Sequence, residues 1–411
     1  MLKVLATSWA LLLGVLLLMV GNGMQGSLLG IRGTTEGFST YEISYVMSAY
    51  FVGFLFGSRL APDMIRNVGH VRVFAALGSL ISAVLVVFPV VPDWVAWAVM
   101  RALLGFCFSG VYVTAESWLN NTATNETRGQ AMSLYMIVQM IGIITSQALL
   151  NIPDPSGYVL FILPSVLVSL AFTPILLAPT PAPVFETIRP LPFRRLFRIS
   201  PLGCAGMLLS GSVFSTMFGM AAVWGAMIQL SVQQITIFIA AMYVGGLIFQ
   251  YPIGWASDRM DRRKLILGIS VVGAVTMLFA FAVALPFPLL VGVAVILGGV
   301  VNPLYSLLIA YTNDYLTKED MAAASAGMIF LNGLGAIGGP MISGWLMAQV
   351  GAEGFFLMIG LLFAALSAYA AWRMTRRASA PSGSGFAPVV PSASVMAVEA
   401  VRDRAGEARP T

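Results

Sequence analysis

Few groups in this chain could do acid–base or ion-pair chemistry away from water, and their rarity makes them informative. Arg101 lies in an apolar run, seven residues after Trp94, which is about 10 Å along a helix starting there. A charge at mid-bilayer is costly and usually faces a cavity or a partner. Arg101 therefore reads either as a group on a solute path or as a structural arginine that snorkels or bonds backbone carbonyls. Glu116 follows fifteen residues later on the same run, about 22 Å away, so the two cannot pair. It is expected near the end of that helix, within reach of Arg59, Arg66 or Arg128, as part of a charge network or as a plain surface acid. Glu36, Glu42, Asp93, Asp154 and Glu353 fall at the ends of apolar runs. No mid-span carboxylate stands in helices one to three or seven to twelve to hold a proton by desolvation. His70 is read as a loop residue, and Cys107 and Cys204 as buried thiols far apart, which leaves no metal cluster, no Cys/His pair and no disulfide framework. G-x-S-x-G, H-E-x-x-H, a nucleotide loop and paired intramembrane carboxylates are all missing, so no catalytic residues and no cofactor are expected.

The elements that hold these groups are set by the solvent. The chain is 58% hydrophobic and only 9% charged over 411 residues, against about 25% charged in a soluble domain. The bilayer is the medium this implies. Twelve apolar segments stand out, at about 5–30, 42–62, 72–91, 94–118, 129–151, 157–178, 203–227, 235–256, 264–285, 287–311, 321–347 and 353–374. Each reaches the ~20 residues that cross the hydrocarbon. The first runs on too far for the ~7–15-residue core of a signal peptide and is read as a helix. With the N-terminus inside, the inner loop ends carry nearly all the Lys and Arg, from Lys3, Arg59, Arg66, Arg72 and Arg128 through 189–198 and 259–264 to Arg376 and Arg377. Arg32 stands alone on the other side, so both termini are expected in the cytoplasm. These basic residues mark topology, and nucleic acid is not an expected partner. Between the sixth and seventh segments, PTPAPVFETIRP is too proline-rich for one helix. PFRRLFRIS mixes Phe and Leu with Arg and suits a segment lying on the inner leaflet, or a plain linker. The expected organisation is a six-helix bundle over 1–178, a cytoplasmic linker over 179–202, a second six-helix bundle over 203–374 and a disordered tail over 375–411.

One short polar stretch gives a more specific reading. Gly254 to Lys264 reads GWASDRMDRRK between two apolar runs and fits G-x-x-x-D-R-x-x-R-R through Gly254, Asp258, Arg259, Arg262 and Arg263. This resembles the loop signature of the major facilitator superfamily, found between the second and third helices of each six-helix half. Pro62 to Arg72 occupies the same place in the first half, as the internal repeats of this transporter class require. The resemblance covers about 1–375. Within the superfamily the chain is similar to the YcaD-like bacterial branch, through Glu116-Ser117-Trp118-Leu119, Arg128-Gly129, the loop Ile65–Arg72 and Gly339-Pro340. Arg101 with Gly105 resembles the fourth-helix arginine motif, which in proton-coupled members is associated with coupling. Gly335 to Pro340 resembles the G-x-x-x-G-P element that antiporters carry in helix five. Here helix five has no proline, so the antiporter mark is missing from its usual place.

The resemblance implies an all-α membrane protein with twelve helices in two pseudo-symmetric bundles. It implies a monomeric inner-membrane permease that moves a small solute by alternating access. Coupling through Glu36, Glu42 or Glu116 and uncoupled movement both stand open. A receptor or scaffold that kept the fold and lost transport is the alternative. Helices one, four, seven and ten would line the cavity, with Asn22, Gln25, Arg101, Tyr112, Trp224, Asn302 and Tyr305, and with Gln139 and Asn332 in reach. Amides and phenols offer donors and acceptors without charge, which suits a neutral, polar or amphipathic solute; each is equally a candidate for interhelical bonding. At the cytoplasmic gate, Asp258 is expected to face Arg128 at the start of helix five. The first-half loop carries Arg66 at the motif's acidic position and Asn67 at the next, so Arg66 is expected to face Glu319 or Asp320.

Overall fold

A computed structural model describes residues 2–122, 125–152, 154, 157–177 and 192–376. Side chains are not described at 2–7, 121–122, 125–129, 318–319 and 322. The first part of the linker and the tail expected over 375–411, from residue 377 on, lie outside these residues, as does the side chain of Arg128.

The described residues form helices: α1 (Leu2–Thr35), α2 (Thr40–Val68), α3 (His70–Val87), α4 (Trp94–Thr122), α5 (Asn125–Leu149), α6 (Val159–Ala171), α7 (Thr173–Leu177), α8 (Phe193–Ile199), α9 (Pro201–Met227), α10 (Val232–Ser257), α11 (Arg262–Ala282), α12 (Phe287–Asn313), α13 (Lys318–Val350) and α14 (Gly354–Arg376). A 3₁₀ turn at Phe88–Val90 ends α3, and no strand occurs among the described residues. Twelve spans are long and apolar enough to cross a membrane, α6 and α7 together making the sixth. Helix is what hydrocarbon demands, because every backbone group must bond within its own segment.

The chain divides into two compact units. One comprises Met1–Thr187 with Phe218–Thr236, the other Ile188–Met217 with Ile237–Thr411. The end of α9 and the start of α10 thus belong with the first unit.

In the first unit, α2 packs along α4, α1 along α5 and α6, and α3 along α4 and α6. The α2–α4 contact is backbone against backbone. A Cβ at Gly53 would strike the carbonyl of Ala102, and one at Gly105 the carbonyl of Tyr50. Small residues at this seam let two helices approach closely where no hydrophobic drive favours them in lipid. In the second unit Gly245 meets the backbone of Val295 and Gly298 that of Met242, so the device repeats between α10 and α12. The small-residue run of α13 serves the same end. Gly335 lies against the carbonyl of Leu208 and Gly339 against that of Ser212, both on α9, while α13 runs unbroken through Pro340.

The two loops that carry the repeat are built differently. Between α2 and α3 the turn is Gly69 alone, at φ 86°, a conformation glycine adopts without strain. His70 is consequently the first residue of α3 and fully buried, with Nε2 2.9 Å from Ser117 Oγ on α4. The reading of His70 as a loop residue is corrected by this one-residue turn. Between α10 and α11, Asp261 caps α11 by accepting from the Arg263 backbone N–H at 2.9 Å. Segment α8 is a short helix on α13. Leu196 is buried beside Gly327, Phe193 packs on Phe330 at 5.0 Å, and Arg195 pairs with Asp320 at 2.6 Å.

Candidate functional site

The first unit holds a chain of polar side chains contributed by three helices. Asn22 and Gln25 lie three residues apart and share one face of α1. Gln25 Nε2 donates to Asn22 Oδ1 at 2.9 Å, and Asn22 Nδ2 donates to the Tyr112 hydroxyl of α4 at 2.8 Å. Tyr50, on α2, donates to Asn22 Oδ1 at 3.4 Å. Arg101 enters the chain from α4. Its Nη1 donates to Gln25 Oε1, its Nη2 points at Met47 Sδ at 3.5 Å, and its guanidinium lies 4.8 Å from the centre of the Tyr50 ring. The glycine seam sets this geometry. Gly105, one turn beyond Arg101, rests on the carbonyl of Tyr50, so backbone contact fixes which ring lies under the cation. Phe54 and Phe108 complete an aromatic wall with Tyr50 and Tyr112 at centroid distances of 5.9–6.5 Å.

Four of the sequence-derived candidates are thus brought together: Asn22, Gln25, Arg101 and Tyr112. Tyr50 and Met47 were not anticipated; only their spacing of three on one helix face could have marked them. On α5, Gln139 is buried one turn from Tyr135, which stands in electrostatic reach of both Gln139 and Glu116. Glu116 is itself fully buried on α4. A second polar seam ties α1 to α5 through Ser27 and Gln147 at 3.0 Å, and Asn151 bonds Thr236 at 2.9 Å. Trp224 is fully buried.

In the second unit one remaining candidate bonds within its own helix and another bonds across from α13 to α9. Asn302 donates to the carbonyl of Gly298 at 3.2 Å, Asn332 to that of Met207 at 3.4 Å, and Tyr305 is fully buried. The charged loop is organised around Arg262, which is 2% exposed. Its Nη1 donates to Asp314 at 2.6 Å and to the carbonyl of Ala310 at 3.0 Å, and its Nε to Ser257 Oγ at 3.1 Å. Asp258 adds a carboxylate at 3.6 Å. Arg259 instead stacks on Trp255 at 4.3 Å. Arg263 bonds Asp261 at 2.7 Å and holds that carboxyl below its ordinary pKa. Arg66 pairs with Asp63 on its own helix, and Asp320 with Arg195. Among the described residues no three His, Cys, Asp or Glu side chains gather to hold a metal ion.

The family profile of the Major Facilitator Superfamily matches residues 11–230 and 202–405. This chain belongs to the Major Facilitator Superfamily. It is 27% identical over 357 residues to an uncharacterised MFS-type transporter of Yersinia pestis (strain Pestoides F), covering 85% of this chain and 91% of that one. The uncharacterised MFS-type transporter YcaD of Salmonella arizonae is 26% identical over 360 residues, with the same coverage. The resemblance to the YcaD-like branch therefore holds. Among solved structures, the D323A mutant of nucleoside transporter NupG superimposes with a TM-score of 0.75 at 16% identity, covering 88% of this chain and 99% of that one. A bacterial homologue of the human lysosomal transporter Spinster gives 0.67 at 12% identity, covering 98% of each. These fix the twelve-helix transporter fold. The chain is a multi-pass inner-membrane transporter and not an enzyme.

Proposed function

We propose that this transporter carries a small organic solute by alternating access, and that the solute contacts Asn22, Gln25, Arg101 and Tyr112. The observation that supports this is the hydrogen-bonded chain, buried at Arg101 and Gln25 and half-buried at Asn22, that runs from Arg101 through Gln25 and Asn22 to Tyr112. It joins helices one and four, which the family resemblance assigns to the cavity. Such a chain offers exchangeable donors and acceptors, which a solute can replace without leaving a buried group unmet. Gln139, Trp224, Asn302, Tyr305 and Asn332 are the further pathway candidates. In this reading the bundles over 1–178 and 203–374 rock about the linker 179–202, and both termini face the cytoplasm, as the distribution of Lys and Arg suggests. Arg66, Glu116, Arg128, Gly254, Asp258, Arg259, Arg262, Arg263, Glu319 and Asp320 then belong to the cytoplasmic gate. Glu116, buried beside Tyr135, is the carboxylate available for proton coupling.

The test is solute counterflow in proteoliposomes with full-length protein. Asn22→Leu and Tyr112→Phe should lower flux at least about tenfold, the loss expected when a buried donor or acceptor goes unpaired. Flux indifferent to both substitutions would contradict the assignment.

A further inference from the structure

Among the described residues no acid neutralises the charge on Arg101. The residue is 4% exposed, and each of its partners is neutral: an amide oxygen, a thioether and an aromatic ring. Its Nε–H is buried and has no acceptor. Three acids at the ends of α1, α2 and α4 are engaged elsewhere. Glu36 pairs with Arg32 at 2.6 Å, Glu42 closes a capping box on Ser39, and Asp93 accepts from the backbone of Ala96 at 2.8 Å. Glu116 is about 22 Å further along α4. A guanidinium does not shed its proton in a protein. Among the described residues, then, one full positive charge in the membrane interior is met by dipoles alone. Such a charge calls for a partner.

The open valence has a direction. Nε and Nη2 share one edge of the guanidinium plane, the edge that grips a carboxylate with two parallel bonds. Nε has nothing on that edge, and Nη2 has only the sulfur of Met47, a weak acceptor. The well-bonded nitrogen, Nη1, is on another edge. The guanidinium as a whole lies over Tyr50, 4.8 Å from the ring centre, and Tyr50 is one ring of the aromatic wall with Phe54, Phe108 and Tyr112.

We propose that Arg101 is the charge anchor for an anionic solute, whose single carboxylate or equivalent oxyanion takes the Nε–Nη2 edge in place of Met47. The body of the solute is apolar or aromatic and lies against the wall. This rests on the transporter reading above and narrows its substrate class to monoanions.

The experiment uses purified full-length protein in detergent and acids paired with their amides: acetate with acetamide, benzoate with benzamide, nicotinate with nicotinamide, and inorganic phosphate alone. Thermal unfolding followed by tryptophan fluorescence reads binding, since a ligand that binds only the folded state raises the midpoint. At least one acid should bind the wild type about tenfold or more tightly than its amide. Arg101→Gln should abolish that preference. Met47→Glu keeps Arg101 and places a carboxylate on the same edge, so it should abolish acid binding in a folded protein. Three results would overturn the proposal: amides binding as well as acids, no anion of the panel stabilising the wild type, or the acid preference surviving in Met47→Glu. Counterflow of the same panel separates this from the broader reading. Amide counterflow that Asn22→Leu abolishes would leave a transporter of neutral solutes and overturn the anion anchor alone; counterflow indifferent to both Asn22→Leu and Tyr112→Phe would remove the solute-contact reading itself.

Discussion

Two arginines are buried almost to the same degree, one in each unit, and they are treated in opposite ways. Arg262 is 2% exposed and meets a buried carboxylate, a second carboxylate, a hydroxyl and a backbone carbonyl. Arg101 is 4% exposed and meets none of these, only an amide, a sulfur and a ring. The first arrangement is closed: the chain supplies all the charge its cation needs. The second is open. Burial alone therefore does not separate the two cations; the chemistry of their partners does, and it is the ground for proposing Arg101 as the functional one.

The comparison is broken most severely at the closed site. Arg262→Met leaves Asp314, 6% exposed, without its cation. Removing one partner of a buried pair costs roughly 3–5 kcal/mol, so the unfolding midpoint in detergent should fall sharply. Adding Asp314→Leu should recover much of the loss. At the open site Arg101→Met should unfold no earlier than wild type, because it removes a charge that no acid among the described residues neutralises. Equal destabilisation by the two Arg→Met changes would end the distinction.

Next in size is the seam that aims Arg101. Gly105→Val places a branched side chain against the carbonyl of Tyr50. Overpacking of this kind costs roughly 1–3 kcal/mol. It should also misplace the Tyr50 ring, so that solute binding falls further than stability; the ratio of the two effects, read from binding and melting curves, checks this.

A smaller effect is expected at Asp261. Its carboxyl is held below the ordinary value by the hydrogen bonds from Arg263. A depressed acid adds stability that is present above its unfolded pKa and is lost as pH falls through its folded pKa. Asp261→Asn keeps a capping side chain but loses the ion pair with Arg263, so it should lower stability near neutral pH by about 0.2–1 kcal/mol. The gap from wild type should close on acidification from pH 5 towards pH 3. The smallest effect belongs to Arg66, whose side chain is 54% exposed. Arg66→Glu should change stability by well under about 1 kcal/mol. Any shift it causes in an inter-spin distance across the proposed inner gate reports the gate contact with Glu319 and Asp320, and no shift would remove that contact from the account.

How far the sequence could be read follows from the same physics. The twelve spans were legible because a helix that crosses hydrocarbon needs about 20 consecutive apolar residues. Arg101 was legible because a charge interrupts such a run. Its surroundings were not, since Tyr50 and Met47 reach it only through the register of α2 on α4, which Gly53 and Gly105 set by backbone contact. The motif Asp258–Arg263 was visible as a pattern, but Asp314, the closest carboxylate to Arg262, lies at the far end of another helix, just past α12. His70 looked like loop because polar residues flank it; a one-glycine turn puts it inside. It stands at the repeat position of Arg262, counting from Pro62 and Gly254, and contacts Ser117 on α4 much as Arg262 contacts Ala310 on α12. The repeat is thus preserved as a contact after its charge has gone.

The most direct test of the difference between the two arginines is a structure of the protein with the tightest-binding acid of the panel. The account predicts a carboxylate oxygen about 2.7–2.9 Å from Arg101 Nε, the span of a charge-assisted bond, with Met47 displaced and Arg262 unchanged. A solute bound elsewhere, with the Nε–H of Arg101 still unused, would contradict it.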